Sequence, residues 1–147
     1  MVLDLNAIRR TGKDSQEFYF EYNLGENLCN IPNVEVLPIV KVQGEVALTG
    51  NHQAYIQGEV IFTLKGECTK CLKDTQREYV SYINEDVIEN NLDGYSVVND
   101  KVDLTKIVID AMLIEMPMTL LCSEDCKGLC FGCGVNLNDE ECKCKNK

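Results

Sequence analysis

Cysteine is the residue type with the most chemistry to offer in this chain, and there are nine of them. Eight fall into runs that read Cys68-x2-Cys71, then Cys122-x3-Cys126-x3-Cys130-x2-Cys133, then Cys142-x-Cys144. Thiols this close along a chain cannot easily form mutual disulfides. They can converge on one tetrahedral ion, with Zn–S distances of about 2.3 Å. A single Cys-x2-Cys pair is a weak signal, equally a redox motif or a coincidence. Eight clustered cysteines point to metal, with zinc as the first choice and iron–sulfur as the alternative. Cys29, alone between Leu28 and Asn30, reads as a part-buried free thiol.

Eight thiolates are enough for two sets of four, and the spacing leaves their division open. The preferred division joins Cys130 and Cys133 to Cys142 and Cys144. Cys130-Phe131-Gly132-Cys133-Gly134 is a knuckle whose small residues let backbone N–H groups point at sulfur. Gly132 and Gly134 can take the positive φ such a turn needs. Cys68 and Cys71 then join Cys122 and Cys126. A catalytic zinc normally has His or carboxylate ligands and an open position for water. The one histidine, His52, lies far from every cysteine in sequence and beside Gly50-Asn51, where it decorates a turn. Four thiolates close a coordination shell, so the sequence predicts two structural zinc ions and no catalytic residues.

The elements that must position these cysteines are mostly strands. Val40, Val42, Val46 and Leu48 alternate with Lys41, Gln43 and Glu45; after Thr49-Gly50-Asn51-His52 the alternation resumes at Ala54, Ile56, Gly58, Val60, Phe62 and Leu64. Period two on both sides of a Gly-Asn turn predicts an antiparallel hairpin. A third run from Thr75 to Val87 returns alongside, which makes Cys68–Cys71 a metal-held turn between two strands. Glu17–Tyr22 and Val2–Leu5 read as further strands, with a short turn at Asn6–Arg10. Residues 90–100 read as a loop. Asp103 caps a helix over 103–115 with Leu104, Ile107, Val108 and Ala111 on one face. Ile109, Met112 and Leu113 widen that stripe towards a second side, and Pro117 ends the helix. The predicted fold is α+β and mainly β: an antiparallel sheet or partly open barrel, one packed helix and a C-terminal zinc-knuckle tail. The predicted domains are a body, 1–116, and a cysteine-rich tail, 117–147.

Composition narrows the function. The chain has 147 residues with 45% hydrophobic and 26% charged, ordinary for one soluble globular domain with a small appended module. No apolar run approaches the ~20 residues that span a bilayer. The opening MVLDLNAIRRTG lacks an apolar stretch after its basic residues, so a cytoplasmic protein is expected, with no membrane partner.

The order of the parts resembles a known family. A strand pair leads into Cys68-Thr69-Lys70-Cys71-Leu72, an acidic segment follows, and Val102-Asp103-Leu104 opens a helix ending at Met116-Pro117. The tail then reads Cys122-Ser-Glu-Asp-Cys126-Lys-Gly-Leu-Cys130-Phe-Gly-Cys133-Gly-Val-Asn-Leu-Asn138 and closes on Cys142-Lys-Cys144. From about Val34 to Cys144 this is similar to the YceD family, the large ribosomal RNA subunit accumulation proteins of bacteria and plastids. Phe131 stands where the family pattern leads one to expect proline, a departure that removes no ligand. The resemblance implies a role in making or maintaining large-subunit ribosomal RNA. It supplies no mechanism and no catalytic residues.

Charge bears on the partner. The formal net charge is -10, and eight thiolates with two Zn²⁺ would take it to about -14. Such a surface repels phosphate at long range. The exception is local: Lys65, Lys70, Lys73 and Arg77 against Glu67 and Asp74 leave a net of +2 around the first knuckle. Lys70, Lys73 and Arg77 are therefore the candidate RNA contacts, with a solvated turn as the plainer explanation. Residues 85–103 have the opposite sign, six acids against Lys101, and suit a basic protein client or simply solvent. The preferred reading is a non-enzymatic assembly factor binding a ribosomal or ribosome-assembly protein, with ribosomal RNA as the alternative partner and no small-molecule substrate.

Overall fold

A computed structural model of the chain describes residues 1–92, 94–142 and 144. Asp93 of the acidic run and the last residues of the predicted tail lie outside them. The chain groups into two compact units. The first comprises Met1–Glu26, Pro38–Phe62 and Tyr79–Met116; the second comprises Asn27–Leu37, Thr63–Glu78 and Pro117–Lys147. The described residues that follow Pro117 fall in the same unit as Asn27–Leu37 and Thr63–Glu78.

In chain order the elements are β1 (Val2–Asp4), α1 (Leu5–Arg10), β2 (Ser15–Asn23), β3 (Val34–Val36) and β4 (Ile39–Gly50). They continue with β5 (Gln53–Glu67), β6 (Asp74–Glu89), β7 (Ser96–Val97), β8 (Lys101–Asp103) and α2 (Leu104–Glu115). The main sheet runs β2-β4-β5-β6-β7, with β3 paired to β5 off this path; β1 and β8 form a separate antiparallel pair. β6 and β7 pair in parallel. The protein is mainly β, as the alternation predicts, with two helices where one helix and a short turn were expected.

The first unit has an apolar core from alternate strand positions: Val40, Val42 and Val46 of β4 and Ala54, Ile56, Val60 and Phe62 of β5 are all but fully buried. Gly44 and Gly58 sit opposite each other in this pair. A Cβ on Gly44 would run into the Gln57 carbonyl oxygen and the Gly58 Cα, so the strands approach more closely here than side chains permit. Phe18 of β2 lies across from Gly44 and is buried. α2 begins where the Asp103 carboxylate accepts the Thr105 N–H at 2.9 Å, the N-cap that the sequence predicts. It ends because Pro117 holds Met116 extended, at ψ 120°. Leu104, Ile107, Val108, Ala111 and Met112 are buried, whereas Leu113 is half-exposed, so the stripe stays one-sided. Ser81 of β6 donates to the Ala111 carbonyl at 2.6 Å and satisfies a buried hydroxyl.

The Asn90–Asp100 segment carries more structure than a loop. Asn99 and Asp100 both have positive φ, between bridging residues Val98 and Lys101, the geometry of a type I′ turn. Asp100 is a hub. Its carboxylate accepts from Asn6 at 3.2 Å and Arg9 at 3.2 Å, and pairs with His52 Nδ1 at 2.6 Å. His52 does sit on the β4–β5 turn, with this specific acidic partner.

In the second unit, β3 pairs with the end of β5, Val34 opposite Gly66 and Val36 opposite Leu64. Asn27 closes the segment before β3: its side-chain oxygen accepts the Cys29 and Val36 N–H groups, and its amide donates to the Val34 carbonyl. Cys29 is buried, outside any disulfide, and belongs to neither four-cysteine group.

Candidate metal centres

β5 delivers Cys68 at the start of a tight turn. The Cys68 N–H donates to the Lys73 carbonyl at 2.8 Å, and the Leu72 N–H donates to the Cys68 carbonyl at 2.9 Å. Leu72 takes φ 63° to complete the loop. The segment after Pro117 is held to this turn by a reciprocal pair: Thr69 N–H to the Leu120 carbonyl at 2.7 Å, and Leu120 N–H to the Thr69 hydroxyl at 3.1 Å. Leu120 is fully buried, so its N–H needs that partner. This contact brings Cys122 and Cys126 to Cys68 and Cys71.

The second group is built on a miniature hairpin. Leu129 bridges Asn136, Cys130 N–H donates to the Val135 carbonyl at 2.9 Å, and Leu137 N–H donates to the Gly128 carbonyl at 2.9 Å. Gly134 has φ 75°, as the knuckle requires. Gly132 is needed for a different reason from the one expected. Its φ is not positive, but a Cβ there would stand 2.5 Å from the Cys144 sulfur.

The eight cysteines fall into two groups, Cys68, Cys71, Cys122, Cys126 and Cys130, Cys133, Cys142, Cys144, with the sulfurs of each within 4.8 Å of one another. None of the nine cysteines is in a disulfide. Sulfur separations include 3.5 Å (Cys71–Cys122) and 3.7 Å (Cys68–Cys126) in the first group. In the second they include 3.2 Å (Cys130–Cys142), 3.6 Å (Cys130–Cys144) and 4.0 Å (Cys133–Cys142). A tetrahedron with metal–sulfur distances of about 2.3 Å has sulfur–sulfur edges of about 3.8 Å. Both groups could therefore hold a metal ion without rearranging their backbone.

Backbone dipoles prepare the sulfurs for that charge. Burial opposes ionisation of Cys68, yet the N–H groups of Cys71, Cys122 and Lys70 outweigh it and hold the thiol down at about 6. Cys130 is held down at about 6 by the Cys133 N–H, the Cys142 thiol and the Gly132 N–H. The knuckles thus use the same device: N–H groups two and three residues on, aimed at the first sulfur. Burial pushes the Cys71 thiol up to about 12, and hydrogen bonding to Cys142 pushes Cys144 up to about 12. The first sulfur of each group thus ionises readily, while Cys71 in the first group and Cys144 in the second hold protons that a cation would displace. The groups differ in exposure. Cys68, Cys71 and Cys126 are buried, whereas Cys133 is exposed and the rest of the second group intermediate.

Among the candidate RNA contacts, Lys70 and Lys73 are exposed on the first turn. Arg77 is half-buried and donates to the Leu121 carbonyl at 3.4 Å, so part of its guanidinium serves the fold. Of the six acids between 85 and 103, Asp100 and Asp103 are likewise engaged, one in the hub and one as helix cap.

Sequence reasoning missed a different acidic surface. The register Glu17↔Glu45↔Gln57 and Tyr19↔Gln43↔Glu59 lines up outward side chains on the face of the sheet away from the core. With Tyr82 they border a shallow hollow of about 730 Å³. Each strand shows which residues point outward, but only the register brings three glutamates and two tyrosines together. No described helix is long and apolar enough to cross a membrane.

The model of a family described as "Large ribosomal RNA subunit accumulation protein YceD" matches residues 56–147, a span that contains both cysteine groups. An uncharacterized protein of Mycobacterium tuberculosis is 32% identical over 95 residues, 58% of this chain and 45% of that protein. The large ribosomal RNA subunit accumulation protein YCED homolog 1, chloroplastic, of Arabidopsis thaliana is 39% identical over 44 residues, 30% of this chain and 14% of the plant protein. Its counterpart of the same name in Zea mays is 35% identical over 52 residues, 35% of this chain and 18% of that one. In each case the match spans less than half the length of the relative. No solved structure matches the chain.

Proposed function

The chain belongs to the YceD family of large ribosomal RNA subunit accumulation proteins, and from that premise we propose that it is a non-enzymatic ribosome-biogenesis factor. It supports accumulation of large-subunit ribosomal RNA by binding a basic ribosomal or ribosome-assembly protein. The observation that carries this reading is the pair of all-thiolate groups inside the family-matched segment. Four sulfurs around one ion leave no coordination position for substrate or water, so the metal supplies rigidity and no Lewis acid.

Zinc is the ion we assign to each group. Sulfurs within 4.8 Å of one another surround a single ion and leave no room for a multi-iron cluster, and soft thiolate sets favour zinc. The eight ligands are Cys68, Cys71, Cys122 and Cys126, then Cys130, Cys133, Cys142 and Cys144. Cysteines held as metal ligands and not as disulfides fit a reducing compartment such as the cytoplasm.

For the client surface, the outward face bearing Glu17, Glu45, Glu59, Tyr19 and Tyr82 offers charge and stacking area for arginine-rich protein segments. A tagged pull-down from growing cells, with and without nuclease, tests the reading. Protein partners that survive nuclease and are lost on changing Glu17, Glu45 and Glu59 to Gln are the expected result. Sub-micromolar binding of precursor RNA at physiological salt, abolished by reversing Lys70 and Lys73, would replace it with direct RNA binding through the first knuckle. Specific cleavage of that RNA by pure protein would overturn the non-enzymatic reading.

A further inference from the structure

Asn138 lies in the loop between Cys133 and Cys142, the two halves of the second cysteine group, yet its side chain serves the first. Its amide nitrogen donates to the Cys126 sulfur at 3.3 Å. Its oxygen accepts the Lys127 N–H at 2.9 Å. That contact settles the amide's orientation: a backbone N–H can only be met by the oxygen, so the nitrogen must face the sulfur. Asn136 locks the rotamer from the other side, accepting both the Asn138 N–H and its amide nitrogen at 3.0 Å.

The backbone completes the link. The hairpin that places Asn138 opposite Lys127 is the one that carries Cys130, through the Leu129–Asn136 bridge and the Leu137 to Gly128 hydrogen bond. Cys142 and Cys144 close the second group onto the same hairpin, with Cys142 3.2 Å from Cys130. An ion held by the second group therefore fixes the segment from which Asn138 reaches Cys126. An ion in the first group would replace the Cys126 proton, and a metal-bound thiolate accepts more strongly than a thiol, which strengthens the hydrogen bond that docks the hairpin.

We propose that Asn138 is a positioning residue that couples the two metal sites, so that filling either raises the affinity of the other. This rests on the two-ion reading above. The coupling is reciprocal by thermodynamic necessity. Outer hydrogen-bond partners of metal ligands are commonly worth about 10–100-fold in metal affinity.

The test uses the full chain and Zn²⁺ alone, with affinity at the first group read by competition against a chromophoric chelator. The second group is disabled by the double substitution Cys133→Ser and Cys142→Ser. In an otherwise unchanged chain this should weaken the first site by about tenfold or more. In an Asn138→Asp background, which keeps the acceptor for Lys127 and loses the donor to sulfur, the same double substitution should change the first site by less than about twofold. A first-site affinity indifferent to the second group in the Asn138 chain would overturn the coupling while leaving two ions bound. Fewer than two ions in the parent protein would overturn the metal reading and this inference together. A measurement on the unsubstituted protein stands apart from folding of the variants. With ¹¹³Cd in both groups, the Asn138 side-chain amide protons should show scalar coupling to the first-site metal, and its absence would remove the hydrogen bond on which the inference rests.

Discussion

Leu72 and Gly134 hold the same place in the two knuckles: each follows the second cysteine of its pair, and each has left-handed backbone, at φ 63° and 75°. For glycine that conformation is free; for leucine it costs about 1–2 kcal/mol. Nothing in the exposure of Leu72 offsets the cost, since more than half of its surface faces solvent (57%). The first knuckle is thus strained at the one position where the second is relaxed.

Leu72→Gly should therefore stabilise the metal-loaded protein. Glycine also gains freedom in the unfolded chain, so the net gain is about 0.5–1 kcal/mol. Thermal unfolding of parent and variant at equal metal loading checks it; a lower melting temperature for the variant would show that the leucine side chain contributes more than its exposure suggests.

The unequal burial of the two groups predicts unequal release. Challenged with a strong chelator, the protein should lose its ions in two phases of equal amplitude. The fast phase belongs to the group containing the exposed Cys133, the slow one to the group with Cys68, Cys71 and Cys126 buried. Protection of Cys133 and Cys142 from alkylation, followed by mass spectrometry during the challenge, should disappear with the fast phase. Release in a single phase, or from the first group first, contradicts this order.

Thr69→Val keeps the shape of the side chain and removes the acceptor for the buried Leu120 N–H. The expected cost is about 1–3 kcal/mol, while Thr69→Ser should restore most of it. Amide exchange should rise around Leu120 in the valine variant. Unchanged protection there would mean that the hydroxyl contributes nothing to docking the segment after Pro117.

Acid should weaken the first unit through Asp100. Its hydrogen bond to His52, helped by Arg9, holds the carboxyl below the ordinary carboxylate value; the Thr105 N–H does the same for Asp103. A carboxylate with a depressed folded pKa stabilises the protein above the unfolded value, near 3.9, and loses that contribution as pH falls through the folded value. The stability gap between the parent and Asp100→Asn should accordingly be present at neutral pH and close as the pH drops below about 4. Thermal melts of both proteins across that range measure it, and a gap independent of pH would assign the Asp100 contacts no electrostatic role.

How much of this was legible in advance depended on the distance along the chain over which each feature is encoded. Alternation of Val40, Val42 and Val46 with Lys41, Gln43 and Glu45 specifies a strand locally, because side chains two residues apart share a face. Asp103 and Pro117 bracket α2 by equally local rules. The knuckle spacing of Cys130 and Cys133 specifies a turn whose N–H groups meet sulfur. None of these needs a distant residue. The grouping of the cysteines does. Spacing left their division open, and the preferred pairing of Cys68 and Cys71 with Cys122 and Cys126 depends on Thr69 and Leu120 exchanging hydrogen bonds across 51 positions. The glutamate-rich face likewise exists only because β2, β4 and β5 pair in one register; a slip of one residue would turn Glu45 towards the core. Short elements escaped for the same reason. β3 has three residues and β7 two, too few to show a period. Neither is stable alone, and each is a strand only because a long neighbour completes its hydrogen bonds.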